Sequence, residues 1–440
     1  APTDAKKTIR DVTFSYGTGD NRLAAADLGG RFGEAAEFGY RFNVAHEDLD
    51  PYIRNTQGHR DLVALAMDWR IDTRTRIEWE FESSHHEQIG VNFYSLLGAG
   101  ANALPPPVDG TRNITRQPVS QPGVFDGLTS SLRLRHQLDN GWIWNTQYGT
   151  QHLRADDRLV YASGCDTAPT DRFCSNGDFQ IHDYRSDNER RNSEVVRTEL
   201  RGQKQWAGLE HNLKFNLMRH RQINRMPLTH SDNFLGITNS VYGGVTPPNT
   251  PSDQTRPNTN ISDYHTDFAF NDQLRLTQKT TAWLGLRHTQ LSRNSIQTDD
   301  SAAVQDIRGV NTPWMALSHQ ITPRHTVYAS YGYGLEAEVT PNSANYTNAG
   351  QPLPALRSTQ REIGLKSQSA HTTWQATWFD ITRPAIFDGL NCSPAANTCT
   401  RQIDGQNHHQ GIELSALTQV NAWDFSGSAM WLLEIGRAHV

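Results

Sequence analysis

The chain has 440 residues, of which 36% are hydrophobic, and its mean hydropathy is −0.66. Its formal net charge is −6, with acids and bases interspersed and no basic stripe, which excludes a nucleic-acid-binding surface. No run approaches the roughly 18 apolar residues of a membrane helix, yet the chain carries 11 Trp, 13 Tyr and 16 Phe.

Strands with period-2 alternation recur from about Ile9 to Leu433. In the segment 75–83, the apolar residues Ile77, Trp79 and Phe81 alternate with charged ones. The segments 61–70, 132–138, 212–217 and 282–287 repeat this pattern. Each strand therefore has one apolar face and one polar face, as in an outer-membrane barrel with a wet lumen.

The connections between these strands alternate between short and long. Many strand-like runs last 11 to 17 residues, well above the roughly 5 to 6 of globular strands. The short turns are near 33–36, 70–73, 139–141, 204–207, 277–280, 322–324, 369–371 and 419–422. The long loops are near 48–58, 85–127, 156–179, 225–261, 297–309, 336–356 and 388–401.

This rhythm predicts an all-β fold, a transmembrane antiparallel β-barrel occupying residues 1–433. The count is about 17 strands, against about 22 in plugged outer-membrane transporters, so we expect a partial barrel. Charges facing the lumen are predicted at Arg41, Arg76, Glu78, Glu80, Glu82, Arg133 and Arg135. Aromatic girdles at the membrane surfaces are predicted from Trp69, Trp79, Trp142, Trp144, Trp374, Trp378 and Trp431.

The four cysteines form two close pairs in sequence, Cys165 with Cys174 and Cys392 with Cys399. Four cysteines allow three connectivities, and neighbours close the smallest loops, so we expect two local disulfides. Disulfides indicate an oxidising compartment.

No catalytic or metal motif is present: the chain lacks Gly-x-Ser-x-Gly, His-Glu-x-x-His, a phosphate-binding loop and Cys-x-x-Cys. Adjacent residues of a strand point to opposite faces, so neither His85 with His86 nor His408 with His409 can chelate one ion. We therefore expect neither a metal site nor an enzyme.

Both ends of the chain suggest a fragment. There is no initiating Met and no signal peptide before Ala1. Residues 434–440 read Glu-Ile-Gly-Arg-Ala-His-Val, which back-translates to GAGATCGGAAGAGCACACGTC, a string like the start of a common sequencing adapter. We expect these seven residues not to belong to the protein.

Several motifs after Val327 resemble one known family. They are VYASYGYGLEAE from Val327, LPALRSTQREIGLK from Leu353, WFDITRP from Trp378 and DGQNHHQGIELSA from Asp404. Their order and spacing are similar to the C-terminal half of TonB-dependent siderophore receptors, and segments from Asp27, Asp68 and Thr280 resemble earlier strands of that family. One departure is Gln410, where the family has a basic residue.

The resemblance implies a monomeric bacterial outer-membrane receptor, surrounded by outer-membrane lipid, that imports ferric siderophores without a covalent cofactor. A TonB-type protein would energise it through a plug that would precede Ala1. The resemblance places ligand contacts at Phe93 and Tyr94, and more weakly at Tyr242 and Tyr346. The alternatives are a TonB-dependent receptor for haem, cobalamin or an oligosaccharide, a passive porin or adhesin, and an outer-membrane enzyme.

Overall fold

The fold is a single antiparallel β-sheet, described from a computed structural model. The structure describes residues 7–90, 109–113, 120–162, 179–238, 255–336, 338–341, 345–354, 356–389, 392 and 398–438. No helix in this described part is long and apolar enough to cross a bilayer.

Eighteen strands make up the described sheet. The first nine are β1 (Ile9–Tyr16), β2 (Arg22–Phe32), β3 (Phe38–Leu49), β4 (Gly58–Arg70), β5 (Thr75–Gln88), β6 (Gly123–Gln137), β7 (Ile143–Ala162), β8 (Phe179–Trp206) and β9 (Leu209–Arg225). The others are β10 (His230–Thr238), β11 (Thr259–Arg275), β12 (Thr280–Gln297), β13 (Val304–Thr322), β14 (His325–Glu336), β15 (Leu356–Gln368), β16 (Thr372–Phe387), β17 (Gln402–Val420) and β18 (Trp423–Ala438).

Seventeen of these strands form a meander in which each strand pairs with its neighbour along the chain, confirming the predicted all-β fold and strand count. The exception is β10, which lies within the loop between β9 and β11 and pairs with the far end of β8. Because β8 is 28 residues long, its first residues extend beyond the end of β9, where they pair with β7 on one side and with β10 on the other. Among the described residues β1 pairs only with β2 and β18 only with β17, so the sheet is open.

The short turns lie at the eight predicted places, all at one end of the sheet. One of the two-residue turns joins β8 to β9 through Ala207 and Gly208, with φ values of 50° and 78°. Two positive φ values in a two-residue loop define a type I′ hairpin, whose twist matches that of the paired strands. The long loops lie at the opposite end, which in an outer-membrane barrel is the extracellular one.

Cross-strand register separates the two faces. Met67, Trp79, Leu132 and Tyr148 lie opposite one another across β4 to β7. Leu132 is 48% exposed, so this row has no protein covering it and faces lipid. The next row, on the other face, holds Asp68, Glu78, Arg133 and Gln147.

Aromatic rings border the apolar face at the short-turn end. Phe38 stacks between Phe32 and Trp69, with ring centroids 5.3 Å and 5.8 Å away. Trp142 lies over Gly202, where a Cβ atom would fall 2.3 Å from its ring. Trp69 is 42% exposed, as a girdle residue facing lipid would be.

Candidate functional site

Two extracellular loops, residues 337–355 after β14 and 388–401 after β16, are joined through Arg401. Its Nε donates to Glu338 Oε1 at 3.0 Å and its Nη1 to Asp388 Oδ1 at 3.1 Å. Glu338 and Asp388 belong to different loops, so one guanidinium holds both. We call Arg401, Glu338, Asp388 and Tyr346 the loop clamp.

Tyr346 lies within this clamp. Its hydroxyl donates to Asp388 Oδ2 at 3.1 Å, and its backbone forms an isolated parallel bridge with Cys399. The neighbouring Thr347 N–H donates to the Cys399 carbonyl at 2.8 Å. Asn348 accepts from the Arg401 N–H at 3.1 Å and donates to its carbonyl at 2.8 Å. The two loops are therefore paired through their backbones as well as their side chains.

A disulfide closes the second loop between Cys392 and Cys399, whose Cα atoms are 4.0 Å apart. Cys399 is 1% exposed, so the cross-link is buried where the two loops pair. Cys165 and Cys174 lie outside the described residues.

Ion pairs between charged side chains also hold the extracellular loops together. Burial acts to lower the pKa of Arg401, but the hydrogen bond to Glu338 and the nearby carboxylates raise that pKa above its usual value. In another loop pair, Arg54 forms an ion pair with Asp109 at 2.5 Å. The N–H and hydroxyl of Thr111 hold the pKa of Asp109 below its usual range. These groups stay ionised at neutral pH.

The wall of the lumen is charged at the short-turn end, where a recess of about 660 Å³ is open to the interior. Glu78 accepts from Arg133 at 3.0 Å and pairs with Arg76 at 2.7 Å. Four of the seven predicted lumen charges line this recess, together with two from β8 that the sequence analysis missed: Arg76, Glu78, Arg133, Arg135, Arg197 and Glu199.

One ion pair in this wall is buried. The guanidinium of Arg31 donates to both Asp68 oxygens, at 2.9 Å and 2.8 Å, and also to the carbonyls of Ala36 and Glu37. The Arg31 side chain is 0% exposed and that of Asp68 4%. The pair ties β2 to β4 across the first short turn.

Of the four predicted ligand-contacting residues, only Tyr346 can be placed. Phe93, Tyr94 and Tyr242 lie outside the described residues. Tyr346 is half-buried within the loop clamp.

The histidine pairs point to opposite faces of their strands, as alternation predicts. His85 Nδ1 lies 2.6 Å from Asp126 Oδ1, and His86 Nε2 lies 3.3 Å from Gln88 Oε1. The neighbouring strand brings His59 to His85, with ring centroids 5.2 Å apart, a contact that the alternation along one strand does not predict. Only the β4–β5 register could have revealed it.

Long antiparallel strands, a lipid-facing exterior, a charged lumen and long loops at one end define a barrel of the outer-membrane transport class. The family described as TonB dependent receptor-like, beta-barrel matches residues 68–436. The chain belongs to this family of receptors and transporters, whose barrels lie in the bacterial outer membrane.

Individual relatives are more distant. The ferrichrome receptor FcuA of Yersinia enterocolitica is 24% identical over 96% of this chain and 54% of its own length. The metal-pseudopaline receptor CntO of Pseudomonas aeruginosa is 22% identical over 72% and 44%. Among solved structures, the ferric preacinetobactin receptor BauA of Acinetobacter baumannii superposes with a TM-score of 0.78 at 20% identity, over 97% of this chain and 62% of BauA. The chain spans about half the length of its curated relatives.

Proposed function

We propose that this chain is the barrel of an outer-membrane receptor that takes up ferric siderophores with energy from a TonB-type protein. The observation that supports it most is the loop clamp, two extracellular loops paired above a charged lumen in a member of the TonB-dependent receptor family. FcuA is named a ferrichrome receptor and CntO a metal-pseudopaline receptor, which favours this cargo.

Paired loops are suited to binding a bulky chelate. Ordering a free loop on binding costs affinity, and loops held beforehand avoid much of that cost. Tyr346 has its hydroxyl engaged by Asp388, so its ring face is the part available to a ligand. We propose Phe93, Tyr94 and Tyr242 as further contacts; the iron chelate is cargo, and no covalent cofactor takes part.

The charged lumen wall suits a polar plug. A barrel of this size would leave a wide aqueous channel unless something fills it. Arginines around the recess offer fork-shaped donors for backbone carbonyls and carboxylates of such a plug. In this proposal residues 1–433 form the barrel of a monomeric receptor. The plug and its TonB contact belong to the part of the receptor outside these residues. Residues 434–440 derive from a sequencing adapter.

Uptake of radioactive iron tests the proposal. A strain lacking the gene is compared with one carrying it, in iron-limited medium, with ferric hydroxamate, catecholate and carboxylate chelates supplied separately. One chelate class should restore uptake only with the gene, and deletion of tonB should abolish that uptake. Gene-dependent uptake of haem, cobalamin or an oligosaccharide instead would replace the cargo, and uptake independent of TonB would indicate a passive channel.

A further inference from the structure

Histidines and acids alternate on the outer face of β3 to β6, near the long-loop end. One cross-strand row reads His46, Asp61, His85 and Asp126; the next reads Asp48, His59 and Glu87. His85 shares its face of β5 with the lipid-facing residues Trp79 and Phe81 but lies beyond them toward the extracellular end. This His–acid cluster is thus outside the lumen and above the apolar band.

Three of these side chains converge. His59 lies directly opposite Glu87 and diagonally from His85. The Cβ atom of His59 is therefore roughly 5–7 Å from the Cβ atoms of the other two residues. His85 Nε2 is 4.0 Å from Glu87 Oε2. One ligand atom from each of the three lies within 4.8 Å of the others.

We propose that His59, His85 and Glu87 form a binding site for a divalent transition-metal ion, with Zn²⁺ the best fit. Two imidazoles and one carboxylate, with a position left for water, are a set of protein ligands that zinc uses. With metal–ligand bonds of about 2.0–2.2 Å, tetrahedral ligand atoms lie roughly 3.3–3.5 Å apart. The three side chains are between 32% and 39% exposed, so small rotations can close the remaining gap and an ion can enter from solvent.

Asp126 prepares His85 for this role. Its carboxylate can only accept a hydrogen bond, so the 2.6 Å contact places the proton of a neutral His85 on Nδ1. The Nε2 lone pair then faces Glu87, which is the carboxylate–histidine–metal arrangement that orients metal-binding imidazoles. Asp61 lies 3.9 Å from His59 Nε2, too far for a hydrogen bond, and contributes only its negative charge to the site.

The donor set selects the kind of ion. Ca²⁺ and Mg²⁺ prefer oxygen ligands alone and gain little from two imidazoles. Imidazole suits zinc, copper and nickel, and the carboxylates Asp48, Asp61 and Glu87 supply compensating negative charge. Bound there, the ion would cross-link β4 to β5 at the base of the loop that follows β5.

Calorimetry on the complete receptor in detergent micelles tests this site. The protein is stripped with EDTA, freed of chelator and titrated with ZnCl₂. We expect one equivalent to bind; His59→Ala and His85→Ala should each abolish this binding, and Asp126→Asn should weaken it about 10- to 100-fold. X-ray absorption at the zinc edge should show only nitrogen and oxygen ligands at about 2.0–2.2 Å.

His86→Ala is the matched control, because His86 is the next residue on β5 and faces the lumen. It should bind zinc as the unaltered protein does, and equal heat-modifiable migration of all variants on gels shows that each is folded. The proposal is overturned by absence of stoichiometric binding, by unchanged binding in His59→Ala and His85→Ala, or by equal loss in His86→Ala. None of these readouts depends on transport, so the site stands or fails independently of the cargo.

Discussion

Replacing Arg401 with Met removes the guanidinium that joins the two paired extracellular loops. The change eliminates charge-assisted hydrogen bonds to Glu338 and Asp388, each worth about 1.5–3 kcal/mol when buried. Arg401 is 25% exposed and its partners 31% and 36%, so solvent recovers much of this. We expect a net loss of about 2 kcal/mol, or roughly 30-fold in the equilibrium for separating the loops.

Amide hydrogen exchange read by mass spectrometry measures this opening directly. The N–H of Thr347 donates to the Cys399 carbonyl, and that of Cys399 to Asn345, so both amides should exchange roughly 30-fold faster in Arg401→Met. Arg383→Met is the control, because it removes the same charge but breaks a bidentate pair between β16 and Glu336, the last residue of β14. Exchange at Thr347 within about twofold of the unaltered protein in Arg401→Met, or equal acceleration in Arg383→Met, would refute the reasoning.

Three further experiments probe the lumen wall, the second clamp loop and the lipid face. Asp68→Ala leaves the fully buried guanidinium of Arg31 without its carboxylate and should destabilise the barrel by about 3–5 kcal/mol. The urea midpoint of unfolding in micelles should fall, and an unchanged midpoint would contradict this prediction. Changing Cys392 and Cys399 together to Ser opens an eight-residue loop whose closure stabilises the fold by about 2.5 kcal/mol. Proteinase K should therefore cut this loop faster in the double variant. A reductant should accelerate cutting of the loop in the unaltered protein but not in the variant. Leu132→Arg places a charge on the lipid face, so it should destabilise the barrel by about 2–4 kcal/mol and reduce the amount of folded protein in the membrane. Ser131→Arg faces the lumen beside Glu80 and should assemble normally. Equal assembly of the two variants would contradict the assignment of the two faces.

The strands and turns could be predicted because they depend on local sequence. Alternation of Ile77, Trp79 and Phe81 with charged residues reports which face meets lipid, whatever the neighbouring strand is. The turns near Gly33 and Ala207 are placed by the breaks in that alternation. The projection of β8 could not be predicted, because the pairing with β10 depends on where a distant loop returns.

Contacts between strands and between loops carry no such local signal. Arg401 and Glu338 are 63 residues apart, and nothing in either loop's sequence indicates the other. The lumen charges on β8 were missed because Arg197 and Glu199 enter the recess only through their position across from β7. Shifting a strand by one residue would move each of its side chains to the other face. Sites formed by several strands can therefore be predicted only when the register of those strands is known.

Alternation along β5 places the lumen wall proposed for uptake and the proposed metal site on opposite faces of the sheet. Glu78 and Glu80 face the lumen, Trp79 and Phe81 face lipid, and His85 faces outward above the lipid. A substitution at His85 therefore changes the outer surface without altering the wall along which a cargo or plug would lie. If His85→Ala nevertheless reduced iron uptake, the effect would have to pass through the loop that follows β5, since β5 itself presents that side chain to neither the lumen nor the recess.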